Sequence, residues 1–148
     1  MNTPYQELEL VLVDKLPFKE LKTFREDAGW QASTSPRKLT PGKVLWATVN
    51  AGGRRIAIAR LELAAPEFCY VSDFIVQSKY RKHGVGTWLL QRVEQHCLKH
   101  GIKRLVLEPE NGTRNFYQAR HFTDDPLLPH FMKKEISPLL RRTFTPHS

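Results

Sequence analysis

Between Gln77 and Thr87 the chain reads Gln-Ser-Lys-Tyr-Arg-Lys-His-Gly-Val-Gly-Thr. An apolar run, Val71 to Val76, precedes this stretch, and a helical pattern, Trp88 to His100, follows it. A strand therefore feeds a basic, glycine-bearing turn that opens a helix. The start of a helix presents amides with no partner inside the helix, together with the positive end of its dipole. Gly84 and Gly86 remove the side chains that would hold an anion away from those amides. The chemistry that suits the place is retention of a phosphate or diphosphate by the backbone of Gly84, Val85, Gly86 and Thr87, with Arg81, Lys82 and His83 adding positive charge. A surface turn with a glycine helix start is the plain structural alternative. Two better-known phosphate loops are excluded. Thr87-Trp88 stands where a nucleoside-triphosphate loop needs Lys-Ser/Thr, and Leu89 stands where the dinucleotide fold needs its third glycine.

The spacing Arg81-x-x-Gly84-x-Gly86 resembles the Gln/Arg-x-x-Gly-x-Gly/Ala loop of the GNAT superfamily of N-acetyltransferases, which holds acetyl-coenzyme A. A second segment, Asn111-Gly112-Thr113-Arg114-Asn115-Phe116-Tyr117-Gln118-Ala119-Arg120-His121-Phe122, resembles the Phe/Leu-Tyr-x-x-x-Gly-Phe segment of the same superfamily. The two lie in the order that the superfamily has: strand, loop, helix, strand, short helix. The resemblance spans Arg54 to Glu135 and departs at His121, where the family usually has glycine. It implies an α/β (α+β) fold, a mixed and mostly antiparallel sheet flanked by helices and splayed between its fourth and fifth strands. It also implies acetyl-coenzyme A as cosubstrate and an amine as acceptor, with no metal.

Site roles follow from the same resemblance. Phe74, Ile75 and Val76 end the fourth strand; where the sheet opens, their backbone can pair with the amides of the pantetheine arm as a partner strand would. A backbone N–H near Phe74 would polarise the thioester carbonyl. Tyr117 is the candidate acid, since a phenol of pKa about 10 keeps its proton at neutral pH and can give it to a thiolate. Its alternative is a core aromatic with a surface hydroxyl. Asn111 is a further cofactor contact, or an N-cap. Two carboxylates are candidate bases for the amine. Glu108 ends the fifth strand; Asp73 lies inside the fourth, where a carboxylate is costly unless paired, and pairing with an arginine is the alternative. On the acceptor side, between Arg25 and Gly42 and between Thr123 and His130, Trp30 offers an apolar wall and Glu26 or Asp27 an attraction for a cation. Trp30 packing beneath its loop is the competing reading.

The elements that must position these groups are legible from periodicity. Glu7 to Asp14 reads as a strand, and Pro17 starts a helix carrying Phe18, Leu21, Phe24, Arg25 and Ala28 at helical spacing, stopped by Gly29. Trp30 to Gly42 reads as irregular. Val44 to Asn50 and Arg54 to Leu63 form a hairpin about Ala51-Gly52-Gly53; Phe68 to Val76 is an interior strand. A long helix from Gly84 to His100 buries Leu89, Leu90, Val93 and Cys97 and ends at Gly101. Lys103 to Glu108 is a strand, Thr113 to Ala119 a short helix, His121-Phe122 a strand start interrupted by Asp124-Asp125-Pro126, and His130 to Ile136 a last strand. A meander, a crossing helix and returning strands argue for a mixed sheet.

At 148 residues the chain reads as one domain over 1–136, with a tail from Ser137 to Ser148. Its hydrophobic fraction of 41% and charged fraction of 26% are ordinary for a globular protein. No apolar run approaches the roughly 20 residues of a membrane span, and the N-terminus has no secretory pattern. Cys69 and Cys97 lack metal-ligand spacing and read as reduced thiols, which points to the cytoplasm. The net charge of +8 favours anionic partners. A coenzyme with several phosphates satisfies it; the missing aromatic-basic repeat argues against nucleic acid. Besides an N-acetyltransferase acting on a small-molecule or peptide amine, two readings stay open: an acyl-coenzyme A-binding module without catalysis, and a basic nucleic-acid binder. The acceptor is not named by the sequence, and a homodimer is left open.

Overall fold

The computed structural model describes residues 7–30 and 36–137. The expected tail beyond Ser137 and part of the irregular segment after Trp30 lie outside them, as do Arg141 and Arg142. The chain order is β1 (Glu9–Val13), α1 (Phe18–Asp27), β2 (Lys43–Ala51), β3 (Arg54–Ala64), β4 (Phe68–Val76), a 3₁₀ turn (Ser78–Tyr80), α2 (Val85–Lys99), β5 (Arg104–Leu107), α3 (Arg114–Gln118), β6 (Thr123–Asp124) and β7 (Met132–Glu135). The strands form one sheet in the order β1-β2-β3-β4-β5-β7-β6, antiparallel throughout except for the parallel pair β4–β5. This is the expected mixed α/β fold.

Two helices cover opposite faces of the sheet. Helix α2 buries Val85, Leu89, Leu90, Val93 and Cys97 against a core that includes Ala59 and Leu61 of β3, Val71 of β4 and Leu105 and Leu107 of β5. The stripe recurs every three or four residues, which is why one helical face meets the sheet. Helix α1 buries Leu21 and Phe24 against Trp46, Ile58 and Ile75. Both cysteines are buried and free. Among the described residues no helix is long and apolar enough to cross a membrane.

Two features of β4 open the sheet. Its parallel pairing with β5 is confined to Cys69, Tyr70 and Val71, opposite Leu105, Val106 and Leu107, yet β4 runs on to Val76. The strands therefore part after Val71, the splay expected between the fourth and fifth strands. On the other side, Ile58 pairs with Ile75 but Arg60 pairs with Ser72. One residue of β3, Ala59, thus faces two of β4, Asp73 and Phe74, which is a β-bulge. Asp73 takes φ 47, a left-handed conformation uncommon outside glycine.

On the α1 face a charged network pins the loop before β2. Glu62 is fully buried, and its carboxylate accepts from the Leu39 N–H at 2.9 Å, the Thr40 N–H at 2.8 Å and the Arg60 guanidinium at 2.8 Å. Burial pushes this carboxyl up, but the hydrogen bonds outweigh it and hold the group below the usual carboxylate range.

One sequence expectation on this architecture is corrected. The strand expected to start at His121-Phe122 holds only Thr123 and Asp124, because His121 and Phe122 close the turn after α3. In the sheet, β7 lies between β5 and β6.

Candidate active site

A cleft of ≈ 520 Å³ lies where the splay meets the start of α2. Its walls come from four places: the end of β4, the turn before α2, the β5–α3 connection with α3, and the segment after α1. Arg81, Lys82 and Arg120 line it, and no aspartate or glutamate does. The side chains that line the cleft therefore carry positive charge and no negative charge.

The anion end is built around Gly84, the residue before α2. Its φ of 85 is left-handed, where glycine carries no penalty, and no side chain caps the helix. The first helical bond runs from the Trp88 N–H to the Gly84 carbonyl at 3.0 Å. The amides of Val85, Gly86 and Thr87 precede it and have no partner within the helix. Gly86 matters for a different reason. A Cβ there would stand 3.4 Å from the Phe116 ring and 3.7 Å from Val76, filling the cleft between them. The loop is braced from α1: the Asp27 carboxylate accepts from the Ser78 N–H at 2.7 Å and the Ser78 hydroxyl at 2.8 Å, and stands 3.7 Å from Arg81.

Tyr117 also lines the cleft, 6% exposed, with its ring among Phe74, Phe116 and Phe122 at centroid distances of 6.2, 5.1 and 5.4 Å. Burial pushes its phenol well above the ordinary tyrosine range, and the charge of Glu110 adds to the effect. The turn after α3 fixes the ring. The Phe122 N–H donates to the Tyr117 carbonyl at 3.0 Å and the His121 N–H to the Gln118 carbonyl at 3.0 Å. This is a Schellman motif, with its hydrophobic contact made by Phe122 on Tyr117. The motif requires a left-handed residue, and His121 supplies it at φ 74. The glycine usual in the related loop is thus replaced by a residue that adopts the same backbone. Because His121 is exposed, His121→Gly is expected to stabilise by about 0.5–1 kcal/mol, left-handed strain being offset in part by glycine entropy. A thermal melt should show a rise of about 2 °C; a fall would mean that the imidazole packs more than the backbone strains.

The carboxylates are arranged differently from expectation. Asp73 does not line the cleft. The bulge turns it towards α1, where Arg25 grips it with Nε to Oδ1 at 2.8 Å and Nη2 to Oδ2 at 3.0 Å. Both side chains are 7% exposed. Of the two readings given for Asp73, the ion pair with an arginine is the one observed. Glu108 follows β5 and is exposed, outside the cleft lining. Glu110, not singled out from the sequence, feels the charges of Asp73 and Glu108. Its carboxyl is raised, first by partial desolvation and then by those neighbours, with Arg25 opposing. Tyr70 is raised as well, by burial and then by Glu108.

Of the other predicted residues, Phe74, Ile75, Val76, Arg81, Lys82, Gly84, Gly86, Thr87, Asn111 and Trp30 line the cleft. Val85 is buried in the core, and neither it nor His83 is part of the lining. Glu26 is exposed on α1 and also outside it. Trp30 is held by its backbone N–H to the Arg25 carbonyl at 2.9 Å and packs on the α1 core as well, which is the competing reading given for it. Phe116 and Arg120 were overlooked, although both stand within the Asn111–Phe122 segment. The missed signal for Arg25 was a basic residue on the apolar stripe of α1. Among the described residues no group of three or more His, Cys, Asp or Glu is placed to hold a metal.

The family model described as Acetyltransferase (GNAT) family matches residues 8–122. The chain belongs to the GNAT acetyltransferase family. No curated protein matches it. Solved structures with the GNAT fold include an acetyltransferase of the family from Staphylococcus aureus Mu50, at 13% identity and a TM-score of 0.66, covering 87% of this chain and 100% of that one. The ribosomal-protein-S18-alanine N-acetyltransferase of Escherichia coli is 16% identical with a TM-score of 0.62, covering 87% and 95%. The N-acetylglutamate synthase of Neisseria gonorrhoeae, solved with coenzyme A and L-arginine, is 14% identical with a TM-score of 0.66, covering 86% of this chain and 33% of that one. At these identities the likeness is one of GNAT fold.

Proposed function

We propose that this acetyltransferase moves an acetyl group from acetyl-coenzyme A directly to a primary amine of a small molecule or peptide. The observation that carries the reading is the single cleft that joins the bare amides of α2, the unpaired stretch of β4 and Tyr117. The residues fit the cosubstrate. Arg81, Lys82 and the helix amides suit a diphosphate, and the β4 backbone beyond Val71 suits the amides of pantetheine. Bound acetyl-coenzyme A would supply a thioester carbonyl already activated for attack. Phe74, Ile75 and Val76 would align it along β4, and Asn111 would contact it from the β5–α3 connection.

Proton handling falls to two groups. Tyr117, kept protonated by burial, would give its proton to the departing sulfur. Of the two candidate bases, Asp73 is committed to Arg25, whereas among the described residues Glu108 has no ion pair, so we assign Glu108 the ammonium proton of the acceptor. Trp30 would supply an apolar wall for the acceptor. The free, buried thiols and the absence of a long apolar helix among the described residues support a cytoplasmic setting.

The test is incubation with acetyl-coenzyme A and a panel of small amines and peptides, read by release of free thiol and by a mass increase of one acetyl group on the acceptor. Binding of acetyl-coenzyme A in calorimetry with no transfer to any amine would favour the binding module instead. Absence of binding would overturn the reading.

A further inference from the structure

Arg120 caps the short helix α3, and its guanidinium is placed with unusual care for a half-exposed side chain. Nε and Nη2 both donate to the Thr87 hydroxyl oxygen, at 2.9 and 2.6 Å. Nη1 donates to the Phe116 carbonyl at 2.7 Å, and the guanidinium carbon lies 3.9 Å from the centroid of the Phe116 ring. Every one of these partners is neutral. Among the described residues no carboxylate pairs with Arg120. A guanidinium has five N–H donors, so two remain unused on a side chain that lines the cleft. The charge is thus brought to the mouth of α2 and left without compensation.

Thr87 carries the same message. A hydroxyl has two acceptor lone pairs and one donor. Both lone pairs are taken by Arg120, so the hydroxyl hydrogen is directed elsewhere, and Thr87 also lines the cleft. Arg120 and Thr87 therefore present a fixed positive charge and an oriented O–H beside the amides of the first turn of α2. Phe116 stiffens the arrangement by stacking. Arginine suits such a task better than lysine, because its planar fork can hold several oxygens at once.

We propose that Arg120, with Thr87, is a direct ligand of the diphosphate of the cosubstrate, supplied from the turn after α3 rather than from the glycine loop. The inference rests on the acetyl-coenzyme A reading above and names a contact which that reading does not contain. It gives α3 and its closing turn two tasks: Tyr117 addresses the reacting end of the cosubstrate, and Arg120, three residues on, addresses its phosphates.

Calorimetry with coenzyme A and with 3′-dephospho-coenzyme A, which keeps the diphosphate, tests it. Arg120→Met should raise Kd about tenfold or more for both ligands, the scale of a charge-assisted hydrogen bond. The loss should persist in a Thr87→Val background, where the arginine no longer has a hydroxyl to position. A change under twofold would overturn the proposal. So would a loss confined to coenzyme A, which would place the arginine at the 3′-phosphate, or a loss that disappears with Thr87→Val, which would make Arg120 a positioning residue only. If Arg120→Met does not fold, Arg120→Lys is read the same way: a rise of about threefold or more for both ligands supports the contact, and no rise overturns it. Wild-type protein that binds neither ligand would overturn the acetyl-coenzyme A reading itself; wild-type binding untouched by the variants would overturn this inference alone.

Discussion

Tyr117→Phe is expected to lower kcat about 10²- to 10³-fold while leaving the Kd for acetyl-coenzyme A within about twofold. The variant removes one oxygen and nothing else of consequence. The ring keeps its packing on Phe74, Phe116 and Phe122, so the fold and the cleft wall should be unchanged. Among the described residues the phenol makes no hydrogen bond whose loss would cost stability. Steady-state kinetics with an accepted amine, paired with calorimetry, separates the two parameters. The pH profile adds a check. Burial raises this phenol above its ordinary value, so its acid form is retained below that value. Turnover should show no alkaline decline from Tyr117 up to about pH 10. An unchanged kcat in the variant would remove the acid assignment.

Arg25→Ala is expected to destabilise the protein by about 3–5 kcal/mol. The arginine is 5% exposed and holds the Asp73 carboxylate through two hydrogen bonds. Removing it leaves an uncompensated charge at a backbone position, φ 47, that already costs about 1–3 kcal/mol. Asp73→Ala should cost a similar amount. The double variant should lose less than the two singles together, because the second change has no partner left to orphan. Urea unfolding followed by circular dichroism measures all three. Strict additivity would mean that the pair is a bystander. Activity should fall with stability, since the pair anchors the part of β4 whose next residues, Phe74, Ile75 and Val76, line the cleft.

The path from sequence to fold was direct where physics is local. Apolar alternation located β2, β3 and β4 to within a residue or two, glycines marked the hairpin and both ends of α2, and the resemblance to the GNAT superfamily implied the splay. The anion end of the site was equally open to reading, because Gly84 and Gly86 act through backbone that needs no distant partner. The bulge was not legible. It depends on an aspartate taking a glycine-like φ, and that conformation is sustained by Arg25, 48 residues away. Arg120 was hidden for the same reason: its meaning lies in Thr87, 33 residues earlier. Glu110 was passed over because the rise in its proton affinity comes from partial burial and then from Asp73 as well as Glu108, of which only Glu108 is its neighbour in the chain. The insertion of β7 between β5 and β6 is likewise a property of pairing, to which a four-residue segment gives little clue.

A sheet that unzips in its middle acquires an internal border, and exposed strand borders are where one polypeptide adds to another and fibrils begin. This one is blunted twice. The bulge at Asp73 twists the rim out of register for a flat neighbour, and Phe116 and Tyr117 rise beside Phe74 to narrow the approach. What remains is a slot that suits a slender, amide-bearing chain far better than a second sheet.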